Sequence, residues 1–115
     1  MIKSCRSEED YRQLLAESEQ GPVFLMKHST RCPISANAHS RYIQFADEHP
    51  DVACWEVLVI ESRPVSNLIS EETGIPHQSP QAILFMNGKA CWHTSHGSIS
   101  RQALLDALEK CRAGE

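Results

Sequence analysis

The stretch KHSTRCPIS, residues 27–35, decides how this chain folds, because it joins two unlike patterns. Upstream, PVFLMK (22–27) is a short continuous apolar run bounded by breakers, the mark of a central strand. Downstream, from Pro33 to about Glu48, the pattern turns helical. Ile34, Ala38, Tyr42, Phe45 and Ala46 fall roughly on one face, and Pro50 stops the run. Cys32 therefore lands at a helix start, with Pro33 at the first helical position, where its missing N–H costs nothing. A thiol there faces unpaired backbone N–H groups and the positive end of the helix dipole, and both favour thiolate over thiol. Arg31 and Lys27 are neighbouring cations, whereas the side chain of His28 cannot be placed from sequence. The thiolate is the nucleophile of thiol–disulfide exchange. Three residues on, where a dithiol site would carry its resolving cysteine, stands Ser35. Such a C-P-I-S site is monothiol. It can form a mixed disulfide, but a second thiol must come from elsewhere.

The flanking segments set the topology. Ser7 before Glu8, Glu9 and Asp10 reads as an N-cap with an acidic first turn. The helix it opens carries Tyr11, Leu14 and Leu15 and is expected to end near Gly21-Pro22. VACWEVLVI (52–60) is the strongest strand pattern in the chain. Pro64 begins another helix, with Val65, Leu68 and Ile69 inward and Gly74 as its stop. QAILFM (81–86) and KACWHT (89–94) flank Asn87-Gly88, a strong hairpin signal. The last helix starts at Ser100, with Ile99 and Leu104 placed as a staple and Leu104, Ala107, Leu108 and Cys111 as its buried stripe. The order α-β-α-β-α-β-β-α predicts an α/β fold, a four-stranded mixed sheet flanked by helices. It resembles the thioredoxin-like fold in its minimal form. In that fold the position of Ser79-Pro80, just before a strand, carries a cis-proline loop beside the active cysteine, so a cis bond is expected here. The backbone of Ser79 would then pair with an incoming thiol substrate like an added strand.

Composition bounds the function. The 115 residues make one domain, 1–115, and 41% hydrophobic residues can fill a core. A net charge of −4 argues against nucleic acid or anionic lipid as partner. No apolar run is long enough to span a membrane, and MIKSCRSEEDY lacks a secretory h-region, so a cytoplasmic location is expected. Five widely spaced cysteines with no C-x-x-C pair make a poor disulfide or zinc framework. Cys54, Cys91 and Cys111 fall on apolar patterns and read as inert core thiols. Cys5 lies in a terminus expected to be loose and exposed, where a part in resolving Cys32 stays open. Cys91, His93 and His96 invite a metal reading, but a site needs further converging ligands, so no metal is expected. His77, just before the proline loop, is a candidate for the lining of a substrate groove.

KHSTRCPISANA (27–38), ESRPVSNLISEETGIPHQSPQAIL (61–84) and WHTSH (92–96) resemble the YtxJ-type proteins of the bacillithiol system, the monothiol bacilliredoxins. The resemblance covers nearly the whole chain. It implies a thioredoxin-like reductase, without a bound cofactor, that removes bacillithiol from S-bacillithiolated proteins. Cys32 would be the nucleophile that takes bacillithiol as a mixed disulfide, and free bacillithiol the co-substrate that releases it. By position, Thr30, Arg31, Pro33 and Ser35 would shape the active-site turn, with Ser79 and Pro80 in the opposing loop. The alternative is a sensor or binding module of the same fold, in which Cys32 stores a modification without turnover.

Overall fold

The computed structural model describes residues 1–114. Its elements follow directly from the local signals. Strand β1 (Ile2–Ser4) leads into helix α1 (Glu8–Glu17), whose first turn is closed by Ser7 Oγ accepting the Asp10 N–H at 3.1 Å. Then come β2 (Val23–His28), α2 (Pro33–Glu48), β3 (Ala53–Leu58) and α3 (Arg63–Thr73). Gly74 ends α3 in the left-handed conformation at φ 72°, which a residue without Cβ adopts without strain. Strands β4 (Gln81–Met86) and β5 (Lys89–Ser95) form the hairpin over Asn87 (φ 56°) and Gly88 (φ 77°). A single 3-10 turn, His96–Ser98, precedes α4 (Arg101–Ala113), which Ser100 caps through the Ala103 N–H at 3.0 Å.

The sheet order is β1-β3-β2-β4-β5. β1, β3 and β2 run parallel, while β4 is antiparallel to β2 and β5 to β4. Of the three inner strands, β2 and β4 are buried at every position, consistent with helices covering both faces. On one face, Phe24, Tyr42, Phe45 and Leu84 meet Leu104 and Leu108 of α4. On the other, Tyr11 and Leu14 of α1 and Val65 and Ile69 of α3 pack on Leu25, Trp55 and Ile83.

Three expectations need correction. The sheet has five strands rather than four, because Ile2–Ser4 adds to the edge of β3. Its three residues show no alternation, and only pairing with the Cys54–Glu56 backbone makes them a strand. Helix α1 stops at Glu17, before Gly21, because Ser18 turns in to meet the hairpin: the Asn87 N–H donates to its carbonyl at 2.7 Å and the Gly88 N–H to its hydroxyl at 2.8 Å. Ile34 does not join the buried face of α2 but stands 54% exposed beside Cys32, and Ser35 turns inward in its place. No helix among the described residues is long and apolar enough to cross a membrane.

Candidate active site around Cys32

The site forms where β2 ends. Parallel pairing with β3 carries β2 out to His28, opposite Leu58, and the chain then turns through Ser29–Arg31 into α2. The turn is closed by the Cys32 N–H donating to the Ser29 carbonyl at 3.3 Å. Cys32 is the N-cap residue, in extended conformation (φ −112°, ψ 120°), with its carbonyl accepting the Ala36 N–H at 2.9 Å. Its side chain makes no capping hydrogen bond, and the residue is half-buried. The thiol is thus set at a helix N-terminus without being tied to it, next to Pro33 at the first helical position.

The opposing loop arrives through the sheet. Lys27 pairs with Gln81 across β2 and β4, so Pro80, one residue before, comes to the strand end where the Cys32 turn begins. The Ser79–Pro80 bond is cis, as expected from the sequence. Pro80 is buried, and its carbonyl accepts the His96 N–H at 3.0 Å. The Ser79 hydroxyl is buried without a partner.

The other expected site residues separate into two kinds. Thr30, Arg31 and Pro33 are exposed on the turn, with Thr30 Oγ1 donating to Glu61 at 3.5 Å and the Arg31 N–H to Ser29 Oγ at 3.4 Å. Ser35 is fully buried beneath them. Its hydroxyl accepts the Ser29 N–H at 2.9 Å and lies 2.8 Å from His28 Nδ1. The buried hydroxyl places its own proton by donating to Nδ1, which puts the ring proton of a neutral His28 on Nε2. Burial, followed by the neighbouring His39, holds His28 below its ordinary value, in keeping with a neutral ring.

Beneath the turn lies a set of groups the linear reading does not assemble. The His28 and His39 rings stack at 4.0 Å and 11°. His39 Nε2 is 2.8 Å from Glu56 Oε1, and this hydrogen bond holds the Glu56 carboxyl below its ordinary range. Two signals were present in the chain: His39 stands four residues after Ser35, on the same helix face, and Glu56 is a lone carboxylate in an apolar strand.

Lys27 does not add its charge to the turn. Alternation along β2 sends it to the α3 face, where it is fully buried and its ammonium donates to Ser66 O at 3.0 Å, Ser70 Oγ at 2.7 Å and His77 Nδ1 at 3.1 Å. Burial pushes it down to about 8. His77 is an exposed residue whose ring serves this buried cation. Cys5 is likewise not at a loose end: it is 1% exposed, and its N–H donates to the Glu56 carbonyl at 2.7 Å. Burial pushes its thiol up to about 12 and that of Cys54 up to about 11. Cys91 is exposed rather than part of the core. Among the described residues no three or more His, Cys, Asp or Glu side chains gather as a metal site.

Known proteins resemble this chain in sequence family and in fold. A family model described as monothiol bacilliredoxin BrxC matches residues 3–104. A solved structure described as a proposed oxidoreductase with a thioredoxin fold superposes with a TM-score of 0.85 at 35% identity, over 92% of each chain. Thioredoxin from Trypanosoma brucei brucei superposes at 0.76 with 20% identity, over 95% of this chain and 92% of that one. Mitochondrial thioredoxin 3 from Saccharomyces cerevisiae does so at 0.74 with 16% identity, over 95% and 94%. The last two establish the fold, while family and fold together support a thiol–disulfide redox role. With one thiol at the start of α2, Ser35 in the second position and a cis-proline loop opposite, the chain belongs to the monothiol bacilliredoxin family.

Proposed function

We propose that this protein is a reductase that removes bacillithiol from S-bacillithiolated proteins in the cytoplasm, through a mixed disulfide on Cys32. The observation that carries the reading is Cys32 as an uncapped, half-buried N-cap residue with a buried serine, not a cysteine, three residues on. In the first step the Cys32 thiolate attacks the bacillithiol sulfur of the protein mixed disulfide. A Cys32–bacillithiol disulfide forms and the client protein leaves as thiolate. In the second step a bacillithiol thiolate attacks that sulfur, releasing oxidised bacillithiol and returning the Cys32 thiolate. Ser35 cannot compete for the intermediate, so the external thiol is required as co-substrate.

The remaining residues support these steps by position. Ser35, with His28 and the Ser29 N–H, holds the turn that presents Cys32. Thr30, Arg31 and Pro33 form its exposed surface, and Ser79-Pro80 supplies the backbone against which an extended client segment would lie.

The test is release of bacillithiol from a modified client by wild type and by Cys32→Ser, with bacillithiol in excess. The reading expects many turnovers from wild type and none from Cys32→Ser. Equal rates in both would refute it. One equivalent released by wild type and then nothing would favour the sensor.

A further inference from the structure

Cys91 and Cys111 are 20 residues apart in sequence, yet the fold sets both on the lining of one open groove, where the Cys111 thiol is near enough to act on that of Cys91. The cause is a β-bulge. Leu84 pairs with Trp92 and Phe85 with Ala90, so Cys91 is left over on β5 without a partner on β4. In a regular strand Ala90 and Trp92 would share a face. Here Ala90 packs with Tyr11 and Phe85 on the α1 side, whereas Trp92 packs with Phe24 and Leu108 on the α4 side. The extra residue reverses the alternation, and the Cys91 thiol donates to the Leu84 carbonyl at 3.4 Å. Cys111, half-buried on α4, packs against the Trp92 side and lines the same open groove, together with Met86, Asn87 and Lys89. Partial burial of its sulfur, and then the adjacent Cys111 thiol, raise the Cys91 thiol above its ordinary value.

We propose that Cys91 and Cys111 are a second redox site, a dithiol that small disulfides oxidise to an intramolecular disulfide joining β5 to the end of α4. A thiolate on Cys111 attacks one sulfur of the small disulfide, forming a mixed disulfide and releasing one small thiolate. Cys91 gives up its proton to solvent and attacks Cys111 Sγ, displacing the second small thiolate. Two cysteine thiols are oxidised, and one small disulfide is reduced to two thiols. The pair uses no residue of the Cys32 site, so the proposal stands independently of the reductase reading.

The experiment uses the Cys32→Ser protein, so that the active thiol contributes nothing. It is exposed to excess oxidised glutathione, alkylated, and digested with trypsin without reduction. Cleavage after Lys89, Arg101, Lys110 and Arg112 places Cys91 in peptide 90–101 and Cys111 in peptide 111–112. The expected product is a monomer lighter by two hydrogens, with two thiols lost to alkylation and those two peptides joined. Cys91→Ser on the same background should instead retain glutathione on Cys111. Glutathione on both cysteines with no joined peptides, both thiols alkylated, or joined peptides in a covalent dimer only, would each overturn the proposal.

Discussion

The Ser35 hydroxyl lies 2.8 Å from His28 Nδ1 while accepting the Ser29 N–H at 2.9 Å. One buried side chain thus ties the last residue of β2, the first residue of the turn and the first turn of α2. A cysteine at this position would resolve a mixed disulfide; the serine instead fastens the loop that carries Cys32.

Ser35→Ala should therefore act first on stability. It strands a backbone donor and a ring nitrogen in the interior, at a cost of about 1–3 kcal/mol. Urea unfolding should show a lower midpoint with an unchanged slope. An unchanged midpoint would mean that the network contributes nothing.

Lys27 should make stability depend on alkaline pH. The unfolded chain holds this proton up to its ordinary value of 10.5, whereas the folded protein releases it near 8. Between those values the unfolded state binds more protons, so the Lys27 contribution rises with pH. Cys5 and Cys54 work in the opposite sense: raised to about 12 and about 11, they contribute less as pH climbs. The difference between wild type and Lys27→Met isolates the lysine. It should move in favour of wild type by on the order of 1–3 kcal/mol across this window, and a flat difference would exclude the buried-cation account.

Cys5 should be a bystander in the redox chemistry. A thiol reagent added to the native protein should reach Cys32 but neither Cys5 nor Cys54, and all five cysteines should react in denaturant. Turnover should survive Cys5→Ala. If that variant instead accumulates the Cys32 mixed disulfide, Cys5 is the resolving thiol after all.

The junction between α1 and the hairpin offers a separate test. Ser18→Ala leaves the Gly88 N–H without its 2.8 Å acceptor and should cost about 1–3 kcal/mol in thermal or urea unfolding. Gly88→Ala meets no atom within 4 Å of the new Cβ, so its expected cost of about 1–2 kcal/mol is the left-handed backbone alone, at φ 77°. Ser18→Ala without loss would show that water replaces the hydroxyl.

Much of this molecule is written locally. Breakers and periodicity place the four helices and four of the strands. Ser7, Ser100 and Gly74 act as caps where the pattern puts them, and Asn87-Gly88 turns the hairpin. Cys32, Pro33, Ser35 and Ser79-Pro80 could be picked out because each combines a residue type with a junction between elements. The edge strand Ile2–Ser4 could not, since its only signal is the backbone of β3. Nor could the inward turn of Ser35 in place of Ile34, which depends on what waits beneath the helix: His28, stacked on His39 and backed by Glu56.

The cysteines divide along the same line. By itself the sequence determined that one thiol stands at a helix start without a partner three residues away, because capping and chain reversal are local events. Its apolar strand pattern already marked Cys54 as a core thiol, and it is buried; only the tertiary structure decided the fate of Cys5, Cys91 and Cys111. It closed Cys5 into the core and, through one bulged residue on β5, set Cys91 on the same groove as Cys111. Side-chain direction on a strand has a period of two, so a single inserted residue reverses it, and that insertion exists only in the pairing with β4.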